Sequence, residues 1–227
     1  MIPETGFEVI CFDADSTLSR LEGVDELARR AGVGEATYAL TQQAMEGRLD
    51  IEEVFEKRLK RIAPSRSDLD WLGARYVETL VEGASRTLRI LCDLGKEVHV
   101  ISGGLKQAVI VLAERCGVAA ERVHAVPLIF DAQGAYQDFD RDSPLWRKGG
   151  KAEICRRILD GRSKSMAMVG DGATDLEAKD AGATVIGFGG VAVREVVRRE
   201  AAAFVDSSCL DAVLPFLLTR SETLSVE

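Results

Sequence analysis

Long apolar runs, histidine and proline are scarce in this chain of 227 residues, which has 2 His and 5 Pro. No apolar run approaches the roughly 18 residues that a membrane-spanning helix needs, so we expect no membrane span and no membrane partner. The 5 cysteines are odd in number and widely spaced, which is typical of buried free thiols rather than of a disulfide framework. The first residues lack the pattern of a secretory signal, and together these absences predict a cytoplasmic protein.

Positive charge is also in short supply. The chain has 29 Lys and Arg against 37 Asp and Glu, a formal net charge of −8. A protein that binds nucleic acid through its phosphates needs a cationic surface, so we expect no nucleic-acid partner. An anionic ligand must instead be bound by a local site. With 46% hydrophobic and 29% charged residues, the composition is that of an ordinary globular protein.

Short apolar runs that end abruptly in polar residues or glycine recur along the chain. They lie at residues 8–12, 98–101, 166–169 and 184–186. Such runs are typical of parallel strands that are covered on both faces. Helical patterns lie between and after them, at residues 105–116, 151–159 and 193–200. This alternation predicts an α/β fold with a Rossmann-like, mostly parallel sheet.

The segment from residue 18 to residue 82 interrupts the alternation, because it contains several helix signals and no β-rich run. Two pairs in it have the spacing of N-terminal capping pairs, Asp50 with Glu53 and Ser67 with Asp70. We therefore predict two domains: a small helical cap, residues 18–82, and a discontinuous α/β core made of residues 1–17 and 83–227.

A further pair of apolar runs lies before the predicted 151–159 helix, at residues 123–130 and 135–139. The residues between them are Asp131-Ala132-Gln133-Gly134, a set common in turns. This arrangement predicts one antiparallel hairpin.

Chemically active side chains follow three of the predicted strands. The segments are residues 13–17 (Asp-Ala-Asp-Ser-Thr), 102–104 (Ser-Gly-Gly) and 170–175 (Gly-Asp-Gly-Ala-Thr-Asp), and Lys151 opens a helix between the last two. Ligands of open α/β sheets bind beyond the carboxyl ends of the strands. We therefore expect these groups to share one crevice.

Clustered carboxylates need a cation, and oxygen ligands without nearby His or Cys favour Mg²⁺ over zinc. Asp13, Asp171 and a backbone carbonyl could hold one such ion. The ion, Lys151, Ser102 and the N–H groups that begin the 105–116 helix would together form a site for a tetrahedral dianion such as phosphate.

The two aspartates of the 13–17 segment suggest a mechanism. Asp13 would attack phosphorus and form an aspartyl phosphate, which divides one difficult displacement into two easier ones. Asp15 would give a proton to the leaving oxygen and later take one from water. Crowding by like charges would keep Asp15 protonated long enough to donate.

Taken together, these motifs resemble the haloacid dehalogenase superfamily. The resemblance extends from about residue 7 to residue 217 and includes the branch of the superfamily that hydrolyses O-phospho-L-serine. The segments that carry it are Phe12–Leu18, Glu22–Ala28, Ile101–Gly104, Gly149–Lys151 and Gly170–Asp175. It implies a haloacid dehalogenase-like core with an inserted cap.

The resemblance also implies roles for the residues of the core. Asp13 would be the nucleophile and Asp15 the general acid and base, with Lys151 as the third catalytic residue. Mg²⁺ would be held by Asp13, the carbonyl of Asp15 and Asp171, with Asp175 supporting that site from nearby.

Substrate contacts follow from the same resemblance. The core would contact the substrate through Ser102, Gly103, Lys151 and Thr174. In the cap, Glu22 would meet the substrate ammonium, Arg58 its carboxylate, and Met45 would line the closed pocket. Two positions depart from relatives: Ile51 stands where animal enzymes have Phe, and Thr174 where many bacterial members have Asn.

Arg58 has a signal of its own. It falls in an apolar helical stripe with Ile51, Phe55 and Ile62. This favours a guanidinium that faces the crevice, where its planar fork suits a carboxylate. A side chain that extends from the edge of the stripe to solvent is the alternative. For Glu22 the spacing alone gives no signal.

The expected function is therefore that of a Mg²⁺-dependent phosphatase, a phosphoric monoester hydrolase. It would convert O-phospho-L-serine to L-serine and phosphate, the last step of serine biosynthesis, as a monomer or homodimer. One alternative is a phosphatase for another small phosphomonoester, such as phosphothreonine, phosphohomoserine or a sugar phosphate. The other is a catalytically silent, metabolite-binding regulator on the same fold.

Overall fold

The computed structural model describes residues 6–45 and 50–225, without the side chains of residues 41–45 and 51. Eight strands lie in this part of the chain: β1 (Val9–Phe12), β2 (Glu97–Leu105), β3 (Val123–Val126), β4 (Leu128–Phe130), β5 (Tyr136–Phe139), β6 (Met166–Gly170), β7 (Thr184–Phe188) and β8 (Ala203–Val205).

Six of these strands form one sheet in the order β3-β2-β1-β6-β7-β8, and each adjacent pair is parallel. All four residues of β1 are buried, as expected for a central strand covered on both faces. The chain adds β2 and β3 on one side of β1 and β6 to β8 on the other. The order of strands therefore reverses between β1 and β6, which is where ligands bind in such sheets. The predicted α/β class with a mostly parallel sheet is confirmed.

Nine α-helices accompany the strands in the described residues: α1 (Gly23–Arg30), α2 (Gly34–Met45), α3 (Ile51–Ile62), α4 (Arg66–Glu78), α5 (Ala84–Asp93), α6 (Lys106–Arg115), α7 (Gly150–Leu159), α8 (Glu195–Glu200) and α9 (Arg220–Leu224). None of them is both long enough and apolar enough to cross a membrane.

Helices α1 to α4 lie within the predicted cap, between β1 and α5. The chain enters and leaves this segment side by side, because the N–H of Val81 donates to the carbonyl of Leu18 at 2.9 Å. Helix α4 packs on core helix α6 so closely that a Cβ on Gly73 would lie 2.9 Å from a methyl carbon of Val111. The division into two domains stays a prediction.

The predicted hairpin is wrong in its first strand. Residues 123–126 form β3 and join the main sheet beside β2, and only β4 pairs antiparallel with β5. Pro127 stands between β3 and β4. Because proline has no N–H to donate, the 123–130 run is divided there.

The predicted cap of α4 is displaced by two residues. The capping pair is Ser65 with Asp68 rather than Ser67 with Asp70: Ser65 Oγ accepts from the N–H of Asp68 at 3.2 Å, and the N–H of Ser65 donates to Asp68 Oδ2 at 3.0 Å. Both pairs have the same spacing, so the pattern alone could not distinguish them. Helix α3 begins directly after Asp50, but Asp50 makes no side-chain capping hydrogen bond, so the predicted capping pair with Glu53 does not form.

Candidate active site

A pocket of about 660 Å³ opens where β1, β2 and β6 end. Nine of the eleven predicted site residues line it: Asp13, Asp15, Glu22, Arg58, Ser102, Gly103, Lys151, Asp171 and Thr174. A tenth, Asp175, lies behind the pocket and contacts Lys151. The side chain of the eleventh, Met45, is outside the described residues, as is that of Ile51.

Lys151 and Asp13 meet at the base of the pocket. The ammonium nitrogen of Lys151 lies 3.0 Å from Asp13 Oδ1 and 2.5 Å from Asp175 Oδ1, and all three side chains are buried. Burial alone would lower the pKa of Lys151, but the two carboxylates outweigh it and raise that pKa above its ordinary value. Lys151 therefore stays charged and can neutralise an anion at this position.

The backbone near Asp13 and Lys151 positions the two side chains next to each other. The N–H of Asp13 donates to the carbonyl of Val169 at 2.9 Å, which fixes the residue after β1 against β6. Gly149 has φ of +79° directly before α7, a conformation that favours glycine. A Cβ on Gly150 would lie 2.2 Å from the carbonyl oxygen of Pro144. The Gly149-Gly150 pair thus lets α7 start close enough to the pocket for Lys151 to enter it.

Three carboxylates form a candidate metal site. One oxygen from each of Asp13, Asp171 and Asp175 lies within 4.8 Å of the others. Burial, together with the charge of Asp13, raises the pKa of Asp171. Burial raises that of Asp175 to about 7, although Lys151 opposes the change. A buried, all-oxygen set that is costly to ionise fits a hard divalent cation.

The segment after β6 is shaped around Asp175. A Cβ on Gly170 would lie 2.2 Å from the carboxyl carbon of Asp175. The carboxylate therefore occupies the space that a side chain at position 170 would need. The N–H of Gly172 donates to Asp175 Oδ2 at 2.8 Å. With Lys151 on the other oxygen, both oxygens of Asp175 are engaged. Asp175 is therefore better suited to support the candidate metal site from nearby than to bind the metal ion directly.

Asp15 is set up to hold a proton at neutral pH. Its Oδ1 accepts hydrogen bonds from the N–H of Gly23 at 2.8 Å and from the Tyr76 hydroxyl at 2.7 Å. Burial and the charges of Glu22 and Asp13 nevertheless raise the pKa of Asp15 to about 8. A carboxyl group of this kind can donate a proton to a leaving oxygen.

Ser102 and Gly103 bring polar groups from the end of β2. Ser102 is fully buried, and its hydroxyl oxygen accepts from the N–H of Gly104 at 2.9 Å. A Cβ on Gly103 would lie in ordinary contact with the carbonyl oxygen of Leu145, at 3.4 Å. Thr174, which is exposed, also lines the pocket. Hydroxyl and backbone groups so placed can surround the oxygens of a small anion.

Glu22 stands at the entrance beside a strained turn. Ser16 has φ of +51°, unusual for a residue with a side chain, and its hydroxyl donates to Glu22 Oε1 at 2.8 Å. Arg194 Nη2 lies 3.3 Å from the same oxygen. Burial raises the pKa of Glu22, and the nearby charges of Asp171 and Asp13 add to the effect. An external cation would relieve this crowding of negative charge.

Arg58 faces the pocket from α3. Its side chain is 17% exposed, and one terminal nitrogen donates to Asp25. Its Nε is buried and has no hydrogen-bond partner among the described residues. Val54 and Phe55 line the pocket wall beside it. The guanidinium therefore keeps donor capacity for a carboxylate in the pocket.

A family model of haloacid dehalogenase-like hydrolases matches residues 7–181. Chloroplastic phosphoserine phosphatase of Arabidopsis thaliana is 38% identical over 197 residues, covering 86% of this chain and 67% of the relative. Phosphoserine phosphatase of Drosophila melanogaster is 37% identical over 200 residues, covering 87% and 74%. The chain belongs to the haloacid dehalogenase-like hydrolases, in the phosphoserine phosphatase family.

Structural similarity agrees with this membership. A solved structure described as a phospho-aspartyl intermediate analogue of phosphoserine phosphatase covers 94% of this chain and 100% of its own, with TM-score 0.77 and 29% identity. The likeness therefore includes the helical segment between β1 and α5 as well as the sheet.

Several side chains at the site of this haloacid dehalogenase-like hydrolase were not predicted from the sequence. Arg194 Nε donates to Asp171 Oδ2 at 2.9 Å and brings a positive charge to the acidic cluster. It follows the glycine-rich turn after β7, and its position beyond a strand end is the signal that could have identified it. Tyr76 and Trp146 also reach the site or its wall. Both lie in segments whose pattern indicates packing only.

Proposed function

We propose that this chain is a Mg²⁺-dependent phosphatase that hydrolyses O-phospho-L-serine to L-serine and phosphate, the final step of serine biosynthesis. The observation that carries the proposal is the meeting of Lys151 with Asp13 at the base of a pocket that Asp15 also lines. It supplies a nucleophile, a phosphate-binding cation and a proton donor in one place. The similarity to phosphoserine phosphatases supports the choice of substrate.

In the first half of the reaction, a carboxylate oxygen of Asp13 attacks phosphorus and the bond from phosphorus to the serine oxygen breaks. Asp15 gives its proton to that oxygen as serine leaves. In the second half, a water molecule gives a proton to Asp15 and attacks phosphorus of the aspartyl phosphate, which releases phosphate and restores Asp13. Lys151 and Ser102 hold the phosphoryl oxygens during both transfers.

Asp13, the carbonyl of Asp15 and Asp171 would hold Mg²⁺, with Asp175 supporting the site from behind. When bound, the ion supplies positive charge that offsets the charge of the phosphoryl oxygens. The buried, all-oxygen cluster of Asp13, Asp171 and Asp175 supports this assignment.

Recognition of the amino acid would come from the wall that α1 and α3 form. Glu22 would bind the substrate ammonium, whose positive charge would offset the burial and, to a smaller extent, the neighbouring carboxylates that raise the pKa of Glu22. Arg58 would bind the substrate carboxylate through its guanidinium, whose Nε has no hydrogen-bond partner among the described residues. Gly103 and Thr174 would approach from the core, and Met45 would add an apolar contact.

We assign residues 18–82 to a cap over a core of residues 1–17 and 83–227. Closure of the cap would exclude bulk water and admit the one attacking molecule. All five cysteines are free, which supports the proposed cytoplasmic location.

A substrate panel tests the proposed function. Phosphate release is measured for phosphoserine, phosphothreonine, phosphohomoserine and a sugar phosphate, with wild type and Arg58→Ala. We expect phosphoserine to be preferred, and the substitution to raise its KM with little effect on a sugar phosphate, which has no carboxylate for Arg58 to bind. A preference for a sugar phosphate would exclude the proposed substrate class, and absence of any turnover would favour the silent regulator.

A further inference from the structure

Tyr76 connects helix α4 to the side chain of Asp15. Its ring is fully buried, and its hydroxyl donates to Asp15 Oδ1 at 2.7 Å. The N–H of Gly23 donates to the same oxygen at 2.8 Å. Oδ1 of Asp15 therefore accepts two hydrogen bonds, which occupy the two lone-pair directions of a carboxyl oxygen.

The two hydrogen bonds make the oxygens of Asp15 unequal. In the protonated carboxyl group the proton resides on Oδ2, because Oδ1 has no direction left for it. Oδ2 lies towards the end of β2: a Cβ on Gly104 would lie 3.2 Å from it and 3.1 Å from Ser102 Oγ. The same Cβ would lie 3.4 Å from the Tyr76 hydroxyl, so Oδ2, Ser102 Oγ and this hydroxyl meet at the C-terminal part of β2, next to residues proposed to bind the phosphoryl group.

The position of the Tyr76 hydroxyl is fixed from several sides. A Cβ on Gly23 would lie 2.1 Å from it, so the hydroxyl fills the space that a side chain there would need. Helix α4 is held on α6 by the close approach of Gly73 to Val111. The hydrogen bond to Asp15 is consequently a fixed feature of the packing between the helical segment and the core.

We propose that Tyr76 is a positioning residue, which directs the proton of Asp15 towards the leaving oxygen of the substrate. This inference rests on the proposed function and deepens it, because it concerns how the same site protonates serine. The residue does not touch the reacting atoms and acts through Asp15 alone. A tyrosine on the helical segment thereby contributes to the chemistry of the core.

Tyr76→Phe tests the inference, because it removes the hydroxyl and keeps the buried ring. The measured quantity is kcat/KM for phosphoserine and for p-nitrophenyl phosphate, which reports events up to loss of the first product. Serine is a poor leaving group that needs the proton, whereas p-nitrophenolate leaves without one. General acid catalysis contributes roughly 10²–10⁴-fold, so we expect a loss of about tenfold or more for phosphoserine and less than about threefold for p-nitrophenyl phosphate.

Tyr136→Phe is the matched control. It also removes one tyrosine hydroxyl, which has no hydrogen-bond partner among the described residues and is outside the pocket lining. We expect both substrates to be unaffected. A purely structural role of Tyr76 would reduce turnover of both substrates equally, and that result, or no loss at all, would overturn the inference.

A second variant keeps the test valid if Tyr76→Phe does not fold. Tyr76→Met also removes the hydroxyl and replaces the ring with a flexible apolar side chain, and we expect the same selective loss for phosphoserine. Equal loss for both substrates would count against the inference here too. The proposed function is judged separately, by the wild type: an enzyme that turns over p-nitrophenyl phosphate but not phosphoserine refutes that function and, with it, the inference.

Discussion

The ammonium nitrogen of Lys151 lies 3.0 Å from Oδ1 of Asp13, and both side chains are buried. This contact explains how a chain with a net charge of −8 can bind a dianion. The field of the whole protein repels an anion, so the attraction must come from a cation that is held in place close to the reacting atoms. The carboxylates of Asp13 and Asp175 hold Lys151 in that position and keep it charged.

Removal of this cation should destabilise the fold. In Lys151→Met, Asp13 and Asp175 lose their shared partner and remain buried near each other. Breaking a buried ion pair from one side costs about 3–5 kcal/mol, so we expect the free energy of unfolding to fall by about 3 kcal/mol or more. Urea denaturation without divalent ions measures it.

Lys60→Met is the control for that experiment. Lys60 donates to Glu56 at 2.6 Å on the exposed face of α3, with a side chain that is 63% exposed. Exposed ion pairs contribute little, so the change should stay within about 0.5 kcal/mol. Equal effects of the two substitutions would contradict the assignment of Lys151 as a buried partner of the carboxylates.

Metal dependence follows from the cluster of Asp13, Asp171 and Asp175. Exhaustive chelation should abolish phosphate release, and Mg²⁺ should restore it. Because the ion binds the folded state, it should also raise the melting temperature of the wild type. Asp171→Asn, which removes one charged ligand, should largely lose that increase. Activity that survives chelation, or equal stabilisation of both proteins, would refute the metal site.

Acid should weaken the fold through the pair of histidines on β2 and β3. His124 Nε2 lies 3.1 Å from His99 Nδ1. Burial, and then the charge of His99, lowers the pKa of His124 from 6.5 to about 4. Between about pH 4 and pH 6.5, His124 is protonated in the unfolded chain but neutral in the folded chain. The stability that the neutral His124 contributes is therefore fully present above about pH 6.5 and is lost as the pH falls towards about 4.

His124→Gln isolates this contribution from that of the acidic residues. Urea denaturation is compared at about pH 7.5 and about pH 5 for both proteins. The wild type should lose about 1–2 kcal/mol more than the variant on acidification. If the two proteins lose the same amount, His124 is not the titrating group.

The sheet and the core of the site could be predicted because they depend on local patterns. A parallel strand covered on both faces needs a continuous apolar run, as in β1. A side chain directly after such a strand must emerge at its carboxyl end. Asp13 and Asp171 could therefore be located from their positions in the sequence. Ser102 was expected after its strand but lies within β2, which continues to Leu105, and it still lines the same pocket.

The remaining features depend on contacts between distant segments. Tyr76 has the spacing of an apolar packing residue, and nothing local indicates that its hydroxyl reaches Asp15, 61 residues away. Arg194 reaches Asp171 only because β7 lies next to β6. The 123–130 run divides into β3 and β4 for a related reason: the pairing partners of short strands depend on the whole sheet, and Pro127 provides the local break.

Covalent trapping is the most direct test of the proposed mechanism. Enzyme is mixed with phosphoserine, quenched in acid within the turnover time and treated with borohydride, which reduces an aspartyl phosphate to homoserine. Mass spectrometry of the peptides then locates the change. The mechanism predicts homoserine at position 13 in the wild type and none in Asp13→Asn. Phosphate release with no modified residue, or with modification at Asp15 or Asp171 instead, would contradict it.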